Sequence, residues 1–205
     1  MKIALYGGTF DPVHRGHVDV ARAAADRLHL DRVFFVPAGR PPHRQAITEA
    51  DYEHRYRMAA LACEPDPRFE PSRLEAPAAD GKPSYSLYTL QQARSEIDPD
   101  DRLFFMLGCD AFAEIDSWHR WEEVVRAVEF IVVSRPGADL ARDQAPAAAQ
   151  VQWLTDVDVP VSSTEVRRRL HAADHCEDIL PSPVARYIRE HSLYTPQSSS
   201  VLSPM

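Results

Sequence analysis

The chain has 205 residues, a length that fits one ordinary domain able to bury a substantial core. Hydrophobic residues make up 44% and charged residues 26% of it, as in soluble globular proteins, and the formal net charge of −8 argues against a general nucleic-acid-binding surface. No apolar stretch approaches the roughly 18 residues of a membrane span, and the three cysteines are too widely spaced for a disulfide framework or a zinc motif. These features predict a cytoplasmic protein that has neither a nucleic-acid nor a membrane partner.

The first predicted element is a buried strand over residues 3–6, an apolar run that stops at the glycine pair of residues 7–8. A helix over residues 16–28 follows, and then a second apolar strand over residues 32–37. The helix is predicted from four apolar residues that share one face: Val18, Ala21, Ala25 and Leu28. The order strand, helix, strand predicts a right-handed crossover within a parallel sheet.

The rest of the chain continues this alternation of helices and strands. A Pro- and His-rich loop is predicted over residues 38–48, and Asp51 and Ser84 are expected to cap helices that run to residues 63 and 97. The remaining predicted elements are strands over residues 69–74, 103–108, 129–134 and 151–154, and short helices that begin near Ser163 and after Pro183.

These elements predict an α/β fold, a Rossmann-like doubly wound parallel sheet with a small C-terminal helical subdomain. We expect a single domain over residues 1–195, whose helical part spans residues 160–195. Residues 196–205 are rich in Pro and Ser and predict a disordered tail.

The turn after the first strand has the composition of an anion site, because glycines let the backbone approach a ligand and the following helix offers free N–H groups. His14 and His17 stand three residues apart at that helix start and would share one face. Taken singly, a glycine pair is usually only a turn, Asp11 could be only a turn residue, and such a histidine pair is usually structural. The G-x-G-x-x-G and G-x-x-x-x-G-K-[ST] patterns are absent, which argues against a dinucleotide oxidoreductase and a P-loop NTPase.

Two segments carry a resemblance to a known superfamily. Residues 14–17, His-Arg-Gly-His, resemble the T/H-x-G-H motif of nucleotidyltransferases, and residues 161–167, Val-Ser-Ser-Thr-Glu-Val-Arg, resemble their I-S-S-T-x-I-R motif. Within that superfamily, residues 1–195 are most similar to the bacterial nicotinate-nucleotide adenylyltransferases. The other segments that carry this similarity are residues 8–12, 41–44, 84–86, 108–110, 117–119, 134–137 and 180–188.

The resemblance implies transfer of an adenylyl group from ATP to nicotinate mononucleotide, with release of pyrophosphate, in NAD biosynthesis. Its nucleophile is already a phosphate anion, so positioning and charge neutralisation would carry the catalysis without a general base. Mg²⁺ is expected to arrive with ATP, without a dedicated protein metal site. A homo-oligomer is left open.

The resemblance also assigns residues to ATP. It implies that His17 contacts the α-phosphate, that His14 holds the triphosphate and that Arg167 points at the leaving pyrophosphate, which makes these three the expected catalytic residues. Asp110 would bond a ribose hydroxyl or help to place Mg²⁺. The expected ATP-binding set is Gly8, Thr9, Phe10, His14, His17, Gly108, Asp110, Arg135, Ser163, Thr164 and Arg167. An ordinary helix cap is the alternative interpretation of residues 162–165.

A second set of residues is assigned to nicotinate mononucleotide. Trp118 has a flat face that would stack on the pyridine ring, although a core tryptophan is the alternative. The mononucleotide phosphate would meet His43 and Arg44, unless these belong to a plain surface loop. The backbone N–H groups expected to bind the nicotinate carboxylate belong to Ser86, Leu87, Trp118 and His119.

Other functions remain open from the residues alone. A related nucleotidyltransferase could act on nicotinamide mononucleotide or pantetheine phosphate. A non-catalytic nucleotide-binding or metal-sensing module would need both motifs without turnover.

Overall fold

The structure, a computed structural model, describes residues 1–40, 48–77, 81, 83–134, 145–155, 157 and 160–195. Its strands are β1 (Lys2–Gly8), β2 (Arg32–Pro37), β3 (Phe69–Pro71), β4 (Arg102–Gly108), β5 (Glu129–Val133) and β6 (Val151–Leu154). All neighbouring strands run parallel, in the order β3-β2-β1-β4-β5-β6. The order reverses between β1 and β4, which is where doubly wound sheets bind ligands, outside the carboxyl ends of the strands.

Helices connect these strands. They are α1 (Arg15–Leu28), α2 (Tyr52–Cys63), α3 (Ser86–Glu96), α4 (Cys109–Ala113), α5 (Trp121–Ala127), α6 (Ser163–His171) and α7 (Ser182–Glu190), with a 3₁₀ turn at Ile115–Ser117. In the described residues, no helix is both long enough and apolar enough to cross a membrane.

Both faces of the sheet are covered, because alternate side chains of a strand point to opposite faces. On β1, Ala4 and Tyr6 join a core shared with α1, α2, α6 and α7, whereas Ile3 and Leu5 join a core shared with α3, α4 and α5. Burial on both faces explains why the central strands are continuous apolar runs. It also places the C-terminal helices α6 and α7 on the core that contains α1.

The predicted α/β fold with its doubly wound parallel sheet is confirmed, and the strands over residues 32–37 and 151–154 have their predicted bounds. Helix α3 begins at Ser86 and not at Ser84, whose hydroxyl oxygen accepts from the N–H of Arg40 at 3.3 Å. At α2, Asp51 occupies the cap position, but its side chain makes no capping hydrogen bond.

Two further differences concern short elements. The strand predicted over residues 69–74 ends at Pro71, although the N–H of Ser72 still donates to the carbonyl of Phe35 at 2.8 Å. The helices α4 and α5 have only 5 and 7 residues, too short for the apolar periodicity that predicts a helix from sequence. The predicted tail, residues 196–205, lies outside the described residues.

Candidate active site

The turn after β1 is shaped by close packing. A Cβ atom on Gly8 would lie 3.1 Å from the ring of Phe10, and one on Gly7 would lie 3.2 Å from the ring of Phe105. The backbone of Phe10 has a φ of 49°, and its side chain is buried against the rings of Tyr6 and His17. The two glycines therefore let the Phe10 and Phe105 rings pack directly against the backbone, and the Phe10 ring also contacts the His17 ring.

The two histidines of the first motif lie together at the start of α1. Their ring centroids are 3.8 Å apart, and the backbone N–H of His14 donates to Nδ1 of His17 at 3.2 Å. A ring nitrogen that accepts a hydrogen bond carries no proton, so the neutral His17 imidazole carries its proton on Nε2. The structure thus brings the predicted pair onto one face and orients His17 with its Nε2 as a donor.

The second motif is attached directly to the first turn. Ser162 caps α6, since its hydroxyl oxygen accepts from the N–H of Glu165 at 3.2 Å, and the hydroxyl of Ser163 donates to the carbonyl of Pro12 at 3.0 Å. The cap interpretation is therefore correct for Ser162. The hydrogen bond of Ser163 connects the start of α6 to the turn after β1. Thr164 is exposed.

These segments surround a cavity of about 320 Å³, with both polar and apolar side chains in its lining, at the point where the strand order reverses. The sequence-predicted residues that line it are Gly8, Thr9, His14, His17, Gly108, Asp110 and Ser163. Three predicted residues of the described chain, Phe10, Thr164 and Arg167, are not in its lining. Arg135 lies outside the described residues.

Arg167 contacts the first turn from its outer side. Its Nη1 donates to the carbonyl of Asp11 at 2.7 Å, and its Nε donates to the carboxylate of Glu49 at 3.0 Å. Glu49 also lies 2.8 Å from Nε2 of His171. The Arg167 guanidinium therefore links the turn after β1 to the segment that leads into α2.

Asp11 is buried, and its carboxylate accepts three hydrogen bonds. They come from the backbone N–H groups of Glu49 at 2.8 Å and Ala50 at 3.1 Å, and from the hydroxyl of Tyr194 at 2.6 Å. Burial raises the pKa of Tyr194, and the Asp11 charge adds to the rise. Asp11 is thus more than a turn residue, because it holds the first turn against two other segments.

Arg55 is a second internal support that sequence reasoning missed. Its side chain is buried in α2, where Nη1 donates to the carbonyls of Thr9 and Ala38 at 2.8 Å each, and Nε donates to the carbonyl of Ala50 at 3.2 Å. Burial lowers the pKa of this guanidinium. Helical spacing is the signal that could have found it, because Arg55 shares the buried face of Tyr52, Met58, Ala59 and Ala62, whereas Arg57 is exposed.

A second cavity, of about 210 Å³, lies on the other side of the same turn and has a mostly apolar wall. Trp118 forms part of this wall, with its ring edge-on to Phe105 at 6.1 Å between centroids, and the His119 ring lies 4.4 Å from that of Tyr85. Ser86 lines it as the first residue of α3, whereas the Leu87 side chain is buried in the core. The predicted His43 and Arg44 lie outside the described residues.

The same wall contains the carboxyl group of Glu75, which no sequence pattern indicated. It accepts from the hydroxyl of Thr89 at 3.0 Å and from the backbone N–H of Gly39. Burial raises the pKa of Glu75 to about 7, although these two hydrogen bonds oppose the rise. A carboxyl group with such a pKa exchanges a proton near neutral pH.

Comparison with known proteins agrees with this geometry. Residues 5–169, which include both motifs, match the cytidylyltransferase-like family. The chain belongs to this family. In the described residues, this family member has no group of three or more His, Cys, Asp or Glu side chains that could hold a metal ion.

Individual relatives cover nearly the whole chain. A protein of Solibacter usitatus named "probable nicotinate-nucleotide adenylyltransferase" is 49% identical over 194 residues, which are 95% of this chain and 100% of the relative. A protein of the same name from Thermus thermophilus is 41% identical over 194 residues, again 95% of this chain and 100% of the relative.

The fold is shared with a solved structure of lower identity. The nicotinic acid mononucleotide adenylyltransferase of Plasmodium falciparum, complexed with NaAD, superposes with a TM-score of 0.75 at 18% identity, over 94% of this chain and 97% of that one. At this identity, the likeness concerns the arrangement of helices and strands.

Proposed function

We propose that this member of the cytidylyltransferase-like family transfers the adenylyl group of ATP to nicotinate mononucleotide, yielding nicotinate adenine dinucleotide and pyrophosphate, as a step in NAD biosynthesis. One observation carries the proposal: Gly7, Gly8 and Thr9 line both cavities, so a single turn separates a site that contains His14 and His17 from a mostly apolar one. An enzyme that joins two nucleotides needs such adjacent sites. The names of relatives 49% and 41% identical to this chain support the same reaction.

On the ATP side, the triphosphate occupies the larger cavity at the N-terminus of α1, where the positive end of the helix dipole favours anions. His17 donates from Nε2 to the α-phosphate and stabilises the charge that develops there, while His14 binds the triphosphate. The backbone of residues 8–10 contributes further donors. Asp110 contacts the ribose or the Mg²⁺ ion, and Arg135 borders the adenine.

The leaving pyrophosphate meets the start of α6, where Ser163 and Thr164 offer N–H groups. Arg167 contributes its positive charge, and for this its guanidinium must exchange the Glu49 carboxylate for a phosphate. Mg²⁺ would arrive with ATP and would offset the negative charge of its phosphates.

On the acceptor side, the pyridine ring enters the apolar cavity and stacks on Trp118. The N–H groups of Ser86, Leu87, Trp118 and His119 bind the nicotinate carboxylate, which favours the acid over the amide. His43 and Arg44 bind the mononucleotide phosphate and so aim it at the α-phosphorus of ATP.

The organisation of the chain belongs to the same proposal. Residues 1–195 act as one catalytic domain whose part from residue 160 onward supplies the second motif. The enzyme works in the cytoplasm, which is supported by three free and buried thiols, at Cys63, Cys109 and Cys176.

The test is pyrophosphate release from ATP and Mg²⁺ with each of three acceptors: nicotinate mononucleotide, nicotinamide mononucleotide and pantetheine phosphate. We expect the highest kcat/KM with nicotinate mononucleotide. A preference for another acceptor would refute the acceptor assignment, and no release with any of them would favour a non-catalytic nucleotide-binding module.

A further inference from the structure

The acceptor cavity contains two carboxyl groups in different environments. Glu114 lies at its exposed edge, whereas the carboxyl of Glu75 is held inside the wall by Thr89 and by the N–H of Gly39. A Cβ atom on Gly39 would lie 1.9 Å from the backbone oxygen of Glu75, so the two segments pack as closely as a glycine allows. The Glu75 carboxyl is thus held by a hydroxyl and a backbone N–H where two segments of the chain are closely packed.

Among the described residues that line this cavity, none is a lysine or arginine whose positive charge would neutralise an ionised Glu75. The wall around it is apolar, with Phe105, Leu107 and Trp118 among its members. The nearby Arg40, which follows Gly39, uses its Nη1 for the carbonyl of Gly81.

The other titratable groups that line the cavity lie on neighbouring elements. They are Tyr85, at the start of α3, and Glu114 and His119, on the segment that follows α4. A negative charge on Glu75 would thus act on a bound ligand through a poorly screened, apolar space.

We propose that Glu75 determines specificity for the pyridine substituent of the acceptor. In its neutral form the carboxyl donates a hydrogen bond to the carboxylate of nicotinate mononucleotide, and in its ionised form it repels that carboxylate. The ionised form accepts instead from the amide of nicotinamide mononucleotide. This inference rests on the proposed function and concerns the same cavity.

The sign of the pH dependence follows from the environment of Glu75. Its burial raises the pKa to about 7, so the neutral form dominates below that pH and the ionised form above it. The preference for acid over amide should consequently fall as the pH rises through neutrality. Both mononucleotides carry the same phosphate, so its titration, and that of groups acting on ATP, cancels in the ratio of their kcat/KM values.

The experiment measures this ratio from pH 5.5 to 9 in the full-length enzyme. For the unaltered chain we expect the ratio to fall about tenfold or more over this range. A tenfold fall corresponds to a difference of about one unit between the Glu75 pKa values in the two mononucleotide complexes. In Glu75→Gln the ratio should stay high and nearly constant, because the amide group donates to the nicotinate carboxylate at every pH. Glu114→Gln is the matched control and should keep the original pH dependence, since an exposed carboxylate is screened by water.

A second variant tests the same idea without removing the carboxyl. Thr89→Val deletes a hydrogen bond that favours ionised Glu75, so the midpoint of the fall should move to higher pH. This variant carries the test if circular dichroism shows that Glu75→Gln does not fold.

A ratio that is constant in the unaltered enzyme, or that falls equally in Glu75→Gln, would overturn the inference while leaving the adenylyl transfer intact. An unmoved midpoint in Thr89→Val would also overturn it. Failure of the unaltered protein to adenylylate either mononucleotide would overturn the proposed function and this inference together.

Discussion

The hydroxyl of Tyr194 donates a hydrogen bond of 2.6 Å to the carboxylate of Asp11, and both side chains are buried. The contact joins the last described turn of the chain to the turn after its first strand, across 183 residues of sequence. Since the same carboxylate accepts from Glu49 and Ala50, the end of the chain helps to fix the turn that follows β1 and lines both cavities.

Removing this hydroxyl should destabilise the fold. We expect Tyr194→Phe to lower the free energy of unfolding by about 1.5–3 kcal/mol, the usual worth of a hydrogen bond to a charged group. Urea denaturation would measure it, with the exposed Tyr88→Phe as a control that changes stability by less than about 0.5 kcal/mol. Combined with Asp11→Asn in a double-mutant cycle, the two losses should be clearly non-additive; simple additivity would contradict a direct interaction.

Arg55 should be more costly to replace. Arg55→Met removes donors from three carbonyls, at Thr9, Ala38 and Ala50, and should lower the free energy of unfolding by about 3 kcal/mol. The control is Arg57→Met, an exposed position on the same helix, which should change it by no more than about 0.5 kcal/mol. Equal effects of the two substitutions would mean that the buried contacts contribute nothing beyond helix packing.

His17→Ala tests the main catalytic assignment. We expect kcat to fall about 10²- to 10³-fold, as when a hydrogen-bond donor to a developing charge is lost. The fold should survive, because the Phe10 ring and the rest of the core remain, and thermal unfolding would check this. His175→Ala, at an exposed position on the segment after α6, should keep normal turnover. A His17→Ala enzyme within threefold of normal kcat would exclude the assigned role.

Replacing Trp118 should weaken the binding of the acceptor and leave the binding of ATP unchanged. Trp118→Ala should raise KM for nicotinate mononucleotide about 10- to 100-fold, the range expected from loss of an aromatic stacking partner, with KM for ATP nearly unchanged. Trp118→Phe keeps an aromatic face and should recover part of the loss. Parallel increases in both KM values would instead indicate a general disturbance of the core around Phe105.

Arg167 offers a comparison of neighbours on one helix. Arg167→Met should lower kcat/KM for ATP and also removes the hydrogen bond to the carbonyl of Asp11. Arg168→Met removes only a surface ion pair with Glu165 and should leave kcat/KM nearly unchanged. Steady-state kinetics with ATP as the varied substrate would separate them. If the two variants behave alike, Arg167 acts only through its charge at the surface.

Much of this architecture could be predicted locally. Buried parallel strands must be apolar, so the runs at residues 3–6, 32–37 and 103–108 predicted the centre of the sheet. The three-residue spacing of His14 and His17 predicted that their side chains share one side of a helix; their rings do lie together, 3.8 Å apart between centroids and tilted by 32°, although His14 is the cap residue before α1. The resemblance of the two motifs predicted the family to which the chain belongs.

The sequence by itself therefore determined the longer elements, the family and many residue types at the cavities, because these depend on apolar periodicity and on short motifs. Only the tertiary structure decided that Tyr194 bonds Asp11, that Arg55 binds three carbonyls and that Glu75 lies in the wall of the apolar cavity. These polar contacts join segments far apart in the chain, and their geometry depends on which loops the packed core brings together. A side chain's partners, and hence the pKa of a group such as Glu75, follow from that packing and leave no periodic trace in the sequence.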